Sequence, residues 1–186
     1  MKHYKVLGPN RMPFHGGHGQ WPPPGEWLKI EGALIPCQNG LHVLQRKDLL
    51  QWLGPEIWTI DIKGEKIRHE DNKTVVREAS LVEQFTHWNE RTARLFAADC
   101  AERVLPIFGK SYPNDNRPRN AIQAARDFAN GKITAAAWDA ARAAARAAAW
   151  AAAEAAARAA ARAAAWAAER KWQTRRLFLY LTGKIK

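Results

Sequence analysis

Between Ala135 and Ala168 the chain holds 25 alanines in 34 residues, with Trp138, Arg142, Arg146, Trp150, Glu154, Arg158, Arg162, Trp166 and Arg170 falling four apart. Alanine has the highest intrinsic helix propensity, so the tract predicts helix from Thr134, placed as an N-cap, to Arg170. Each helical residue advances by about 100°, so a step of four drifts by about 40° and the large side chains spiral around the axis. A spiral excludes an ordinary dimeric coiled coil, which keeps one apolar seam through a repeat near 3.5. Two arrangements stay open. A straight helix would be about 55 Å long and act as a projecting strut, whereas shorter helices would fold back through close alanine faces. The recurring charges of the tract exclude a transmembrane span.

Charge separates the chain into halves. Of the formal net charge of +11, residues 89–186 carry 18 Lys or Arg against 8 Asp or Glu, and residues 1–88 carry 11 against 10. The second half is therefore expected to prefer anionic partners. Only two cysteines, Cys37 and Cys100, occur, and Met1-Lys2-His3-Tyr4-Lys5 opens no apolar signal segment, so a reducing cytoplasm is expected.

The composition predicts an α+β chain: a small, mostly β module over 1–88 and an all-α, Ala-rich helical module over 89–186. Glycines and prolines from Gly8 to Gly25 leave loop and short strand in the first 35 residues. Strands are predicted over Leu41–Leu44, Ile57–Ile62 ending at Lys63-Gly64, and Val75–Val82, with a helical turn over Asp48–Leu53. In the second half Asn89 caps a helix running to Phe108 with Gly109 beyond its end, and a second helix spans Arg117–Ala129 before Asn130-Gly131. Phe96, Cys100, Val104 and Phe108 suggest the core stripe of the first helix, flanked by Asp99 and Arg103 at ion-pair spacing.

Few residues suggest chemistry. His15, His18, Cys37 and His42 carry zinc-ligand atoms, but their spacing matches no standard zinc module, and no metal or other cofactor is expected. Cys37 with His42 is the nearby nucleophile and base pair, without an evident third residue to orient the base. Gly16-Gly17-His18-Gly19 lacks the lysine and context of a Walker loop and is a weak phosphate-binding candidate. The expected partner surface is Arg142, Arg146, Trp150, Arg158, Arg162, Trp166, Arg170, Lys171, Trp172, Arg175 and Arg176, which combines phosphate neutralisation with aromatic stacking.

Phe96-Ala97-Ala98-Asp99-Cys100-Ala101-Glu102-Arg103-Val104-Leu105, Asp115-Asn116-Arg117-Pro118-Arg119 and the alanine-rich helix together resemble a helical family of immunity proteins from bacterial toxin systems, also carried by phages. The N-terminal Cys37-Gln38-Asn39-Gly40-Leu41-His42, Trp58 and Gly64-Glu65 resemble a small uncharacterised bacterial and phage domain, which implies no activity. The first resemblance implies a non-enzymatic protein that blocks a partner protein or ribonucleoprotein through the basic helical half, in immunity or anti-defence, with no membrane involved. Nucleic-acid binding by the Arg/Trp series is the alternative, and an enzyme centred on the N-terminal module, around Gly40-Leu41-His42 with Cys37, is a third reading.

Overall fold

The computed structural model describes residues 2–70, 72–140 and 163–185, for 163–166 the backbone only. The chain is α+β and divides into two compact units: Met1–Asn89 with Leu181–Ile185, and Glu90–Tyr180.

The first unit is built on an antiparallel sheet of five strands: β1 (His3–Leu7), β2 (Leu28–Lys29), β3 (Leu41–Val43), β4 (Glu56–His69) and β5 (Lys73–Gln84). β1 pairs β4, β4 pairs β5, and both β2 and β3 pair β5. Tyr4 and Leu44 exchange two backbone hydrogen bonds of 2.9 and 2.8 Å. That bridge joins the end of β3 to β1, so the path β1–β4–β5–β3 closes on itself. Leu41 and Val43, Trp58 and Ile60, and Ala79 and Leu81 point inward at the two-residue period of a strand, and with Leu7, Val76 and Trp21 they form the core. Trp21 comes from the Pro-rich loop; its N–H donates to Arg11 O at 3.0 Å while Arg11 Nε donates to its carbonyl at 3.1 Å.

The prediction that a strand stops at Lys63-Gly64 is wrong: β4 runs on to His69. Gly64 takes φ +73°, inside a register shift between Lys63 and Lys66, so the glycine makes a bulge and the pairing resumes beyond it. The predicted turn over Asp48–Leu53 is a 3₁₀ turn at Leu49–Gln51.

The second unit contains α1 (Glu90–Ser111), α2 (Arg117–Ala129), a helical stretch at 135–140, and α3 (Ala163–Leu181), whose last residue groups with the first unit. α1 does not end before Gly109. It continues to Ser111 through Gly109, an interior glycine that costs only about 1 kcal/mol, and through Pro106, which gives up one backbone hydrogen bond and costs about 3 kcal/mol. The expected core stripe also fails beyond its first half: Phe96 is buried and Cys100 half-buried, but Val104 is 40% exposed. Steps of four drift around the axis here as in the alanine tract, so the buried face is Thr92, Leu95, Phe96, Ala98 and Asp99. α2 has its predicted bounds, with Gly131 beyond it at φ +71°. Thr134 Oγ1 accepts the Ala137 N–H at 3.3 Å, which makes Thr134 the cap of the next helical stretch. Trp138 stacks on Phe128 at 5.2 Å and 9°, with the Arg94 guanidinium over both rings. The single-helix or folded-helix alternatives for the alanine tract fall on residues 141–162, outside the described residues.

Gly40 tests the closed sheet. It has φ +148°, and a Cβ there would lie 2.2 Å from Val75 Cγ1. Gly40→Ala should lower stability by about 2 to 4 kcal/mol through overpacking and backbone strain. Gly19→Ala, with φ +80° but nothing within 4 Å of its Cβ, should cost about 1 kcal/mol. Denaturant unfolding of the two variants checks the difference.

Candidate functional site

In the first unit, β1, β3, the start of β5 and the loop around Phe14–Gly17 enclose a cavity of about 250 Å³. Its walls include Lys5, His15, Cys37, His42, Trp52 and Lys73, and among the described residues no aspartate or glutamate lines it. The register explains the convergence: His42 is opposite Val75 in the β3–β5 ladder, two residues from Lys73, and Leu44 is tied to Tyr4, the neighbour of Lys5.

The side chains are held firmly. Lys5 Nζ donates to His42 O at 2.8 Å and lies 4.8 Å from the centre of the Trp21 ring. Burial pushes the Lys5 ammonium down to about 8. Burial first, then the Lys5 and Lys73 ammoniums and His69, pushes the His42 imidazole down to about 4, so it is neutral at physiological pH. Its Nε2 accepts the Cys37 backbone N–H at 3.2 Å, which puts the ring proton on Nδ1. Cys37 itself sits at φ +65° in the turn closed by the Ile35–Asn39 bridge.

Cys37 and His42 are therefore brought together, but not as nucleophile and base. The His42 lone pair is directed at the Cys37 backbone, and the Cys37 thiol lies 3.9 Å from His69 Nε2. His69 Nε2 also faces Glu70 Oε1 at 3.4 Å, so thiol and carboxylate meet the same nitrogen, whereas a triad needs them on opposite ring nitrogens. The zinc quartet is not assembled either. His15 Nε2 is 2.8 Å from Trp52 O and 3.3 Å from Leu53 O, contacts that require it to donate, and His42 Nε2 is already an acceptor. Among the described residues no group of three or more His, Cys, Asp or Glu side chains is arranged to hold a metal.

The second unit is organised by Asp99, which is 6% exposed. Its carboxylate receives Arg176 Nε at 2.7 Å and the Tyr180 hydroxyl at 2.6 Å from α3, and lies 2.9 Å from an Arg126 nitrogen of α2. The i,i+4 pairing with Arg103 expected from spacing does not form. Arg103 reaches Glu169 at 3.4 Å and lies over the Trp172 ring at 5.0 Å, because the buried carboxylate is satisfied by longer-range donors.

Of the predicted partner-binding residues, Arg142, Arg146, Trp150, Arg158 and Arg162 lie outside the described residues, as does the Trp166 side chain. The others separate. Arg176 is held on Asp99 and Trp172 lies under Arg103, while Lys171 and Arg175 are exposed and Arg170 half-buried. Lys5 and Lys73, which define the pocket, carry no local sequence signal, since 67 residues separate them and only the sheet register unites them. Among the described residues no helix is long and apolar enough to cross a membrane.

Asp99→Ala should destabilise the protein by about 3 kcal/mol, at the lower end for a broken buried pair because both arginines keep some solvent. Tyr180→Phe, which removes one hydrogen bond to a charged group, should cost about 1.5 kcal/mol. Burial, helped by Asp99, pushes the Tyr180 phenol up to about 12. The unfolded chain ionises this group near 10, so its contribution is intact below pH 10 and lost as pH rises towards 12. Unfolding curves over that range should show the stability difference between wild type and Tyr180→Phe shrinking.

Residues 83–172 match the family described as "Imm-5 like putative immunity protein". The matched span takes in α1, α2 and the first part of α3, and with them Asp99 and Arg126. No curated protein matches the chain, and no solved structure does.

Proposed function

We propose that this chain is a non-catalytic, immunity-type binding protein that blocks a partner protein or ribonucleoprotein through its basic helical half. The observation that carries the reading is the immunity-family match over residues 83–172. The Asp99 network supports it, since it commits buried charge to holding three helices and leaves their outer faces for contact. On α1, Val104 and Ile107 are three residues apart, share one helical face, and are 40% and 66% exposed. Exposed apolar side chains rimmed by Arg103 and Lys110 suit a contact with an apolar centre and an acidic or phosphate-bearing rim.

Direct nucleic-acid binding is favoured by a different observation, the 18 cations against 8 acids of residues 89–186. The two readings separate in one experiment. Tagged full-length protein is recovered from its native host, or from phage-infected cells of that host, with and without nuclease. The immunity reading expects one protein partner in stoichiometric yield after nuclease treatment, and recovery reduced about tenfold by Ile107→Glu. Recovery of nucleic acid with no nuclease-resistant protein partner would favour the alternative.

A further inference from the structure

The cavity of the first unit has no part in an immunity-type contact made by the helices, yet its lining is specific. Among the described residues that line it are two ammonium groups and no carboxylate. Glu70 Oε2 lies 3.6 Å from Lys73 Nζ, but that carboxylate is mostly solvent-exposed and stands outside the cavity wall, so it offsets one of the two charges only in part. His42, which lines the same cavity, is held neutral first by burial and then by the Lys5 and Lys73 ammoniums and His69, so it adds no positive charge. Low-dielectric walls strengthen that potential compared with the same lysines on a surface.

Two further features select the ligand. Gly16 and Gly17, at φ +90° and +94°, form one wall, and a Cβ on Gly16 would meet nothing within 4 Å, so a ligand can approach the backbone there without a side chain intervening. The opposite character comes from rings: His15 packs edge-on to Phe14 at 4.8 Å and to Trp52 at 5.3 Å, and all three line the cavity. At about 250 Å³ the space is slightly below the usual range of about 300 to 1,000 Å³ for small-molecule sites. It suits one phosphate group with a compact organic part and is too small for a dinucleotide.

We infer that this cavity is a binding site for a small phosphate-bearing metabolite, with Lys5 and Lys73 neutralising the phosphate, the Gly16-Gly17 backbone facing it, and the Phe14–His15–Trp52 rings flanking the organic part. The glycine-rich segment thus contributes to an anion site as a wall lacking side chains, without the architecture of a Walker loop.

Cys37 provides a local reporter, since it is exposed and lines the same cavity. Alkylation of Cys37 by iodoacetamide is followed by peptide mass spectrometry in the full chain, with inorganic phosphate, adenosine 5′-monophosphate or adenosine present. Cys100, whose thiol burial pushes up to about 11, serves as the slow internal control. Phosphate and the nucleotide should each slow Cys37 labelling in a saturable way, and adenosine alone should not. Tighter protection by the nucleotide would assign the site to an organic phosphate and support the inference, and equal protection would assign it to free phosphate and overturn the role given to the rings. Lys73→Gln should weaken protection about tenfold and Lys73→Arg should restore most of it, with unchanged melting curves showing that the fold is kept. Unchanged Cys37 labelling in phosphate and in the nucleotide would overturn the site, including the case in which both bind only to the basic helical half. Protection that survives Lys73→Gln undiminished would overturn it as well.

Discussion

A carboxylate removed from water costs several kcal/mol unless it is paired and hydrogen-bonded, and Asp99 sets that requirement for the helical unit. The donors that meet it come from two other described helices: Arg126 on α2, Arg176 and Tyr180 on α3. Sliding α1 by one turn would part the charge from all three donors, and sliding α2 or α3 would remove one or two of them, so the network fixes register where small side chains alone would permit several packings. Tyr180 also meets Phe96 edge-on at 6.2 Å, which couples the polar network to the apolar packing of α1. The same network draws Arg176 inward and leaves Lys171 and Arg175 at the surface, so the cations of α3 divide between structure and contact.

The first unit solves a different problem. A small sheet with exposed edges offers its backbone to other chains, and here the Tyr4–Leu44 bridge joins two of those edges. Asp48 strengthens the closed sheet from one side: it is buried, takes a two-pronged contact from Arg68 at 2.8 and 2.9 Å, and accepts the Gln45 N–H at 3.0 Å. Closure has a chemical result. It sets Lys5 against the His42 carbonyl and brings the Cys37 turn and the start of β5 to one cavity, so the positive potential of the pocket follows from strand register.

Elements dominated by local preference were legible in the sequence. α2, with its Asn130-Gly131 stop, and the Thr134 cap stand where the residues put them, and the β4–β5 strands were recognised by their β-branched and aromatic runs. Errors arose where a local signal competed with longer-range structure. Gly64 reads as a strand end and is a bulge; Gly109 reads as a helix stop and lies inside α1. Asp99 has Arg103 at ideal helical spacing but is held by residues 27, 77 and 81 positions away, which no periodicity reveals. At the pocket, proximity of Cys37 and His42 was readable from a five-residue separation, while the orientation that turns His42 towards a backbone N–H was not. The lysine pair was invisible for the same reason as the Asp99 network, because both are assembled by tertiary pairing.

The inhibitory contact proposed for this chain is made by its helical half. Hydrogen exchange of the chain, alone and in complex with the protein recovered from host cells, measures this directly. Contact through the helices should slow exchange of amides within Glu90–Tyr180, including the exposed end of α1, with Glu56–His69 and Lys73–Gln84 exchanging as in the isolated chain. Slowed exchange confined to the sheet, with α1 and α3 unchanged, would contradict it.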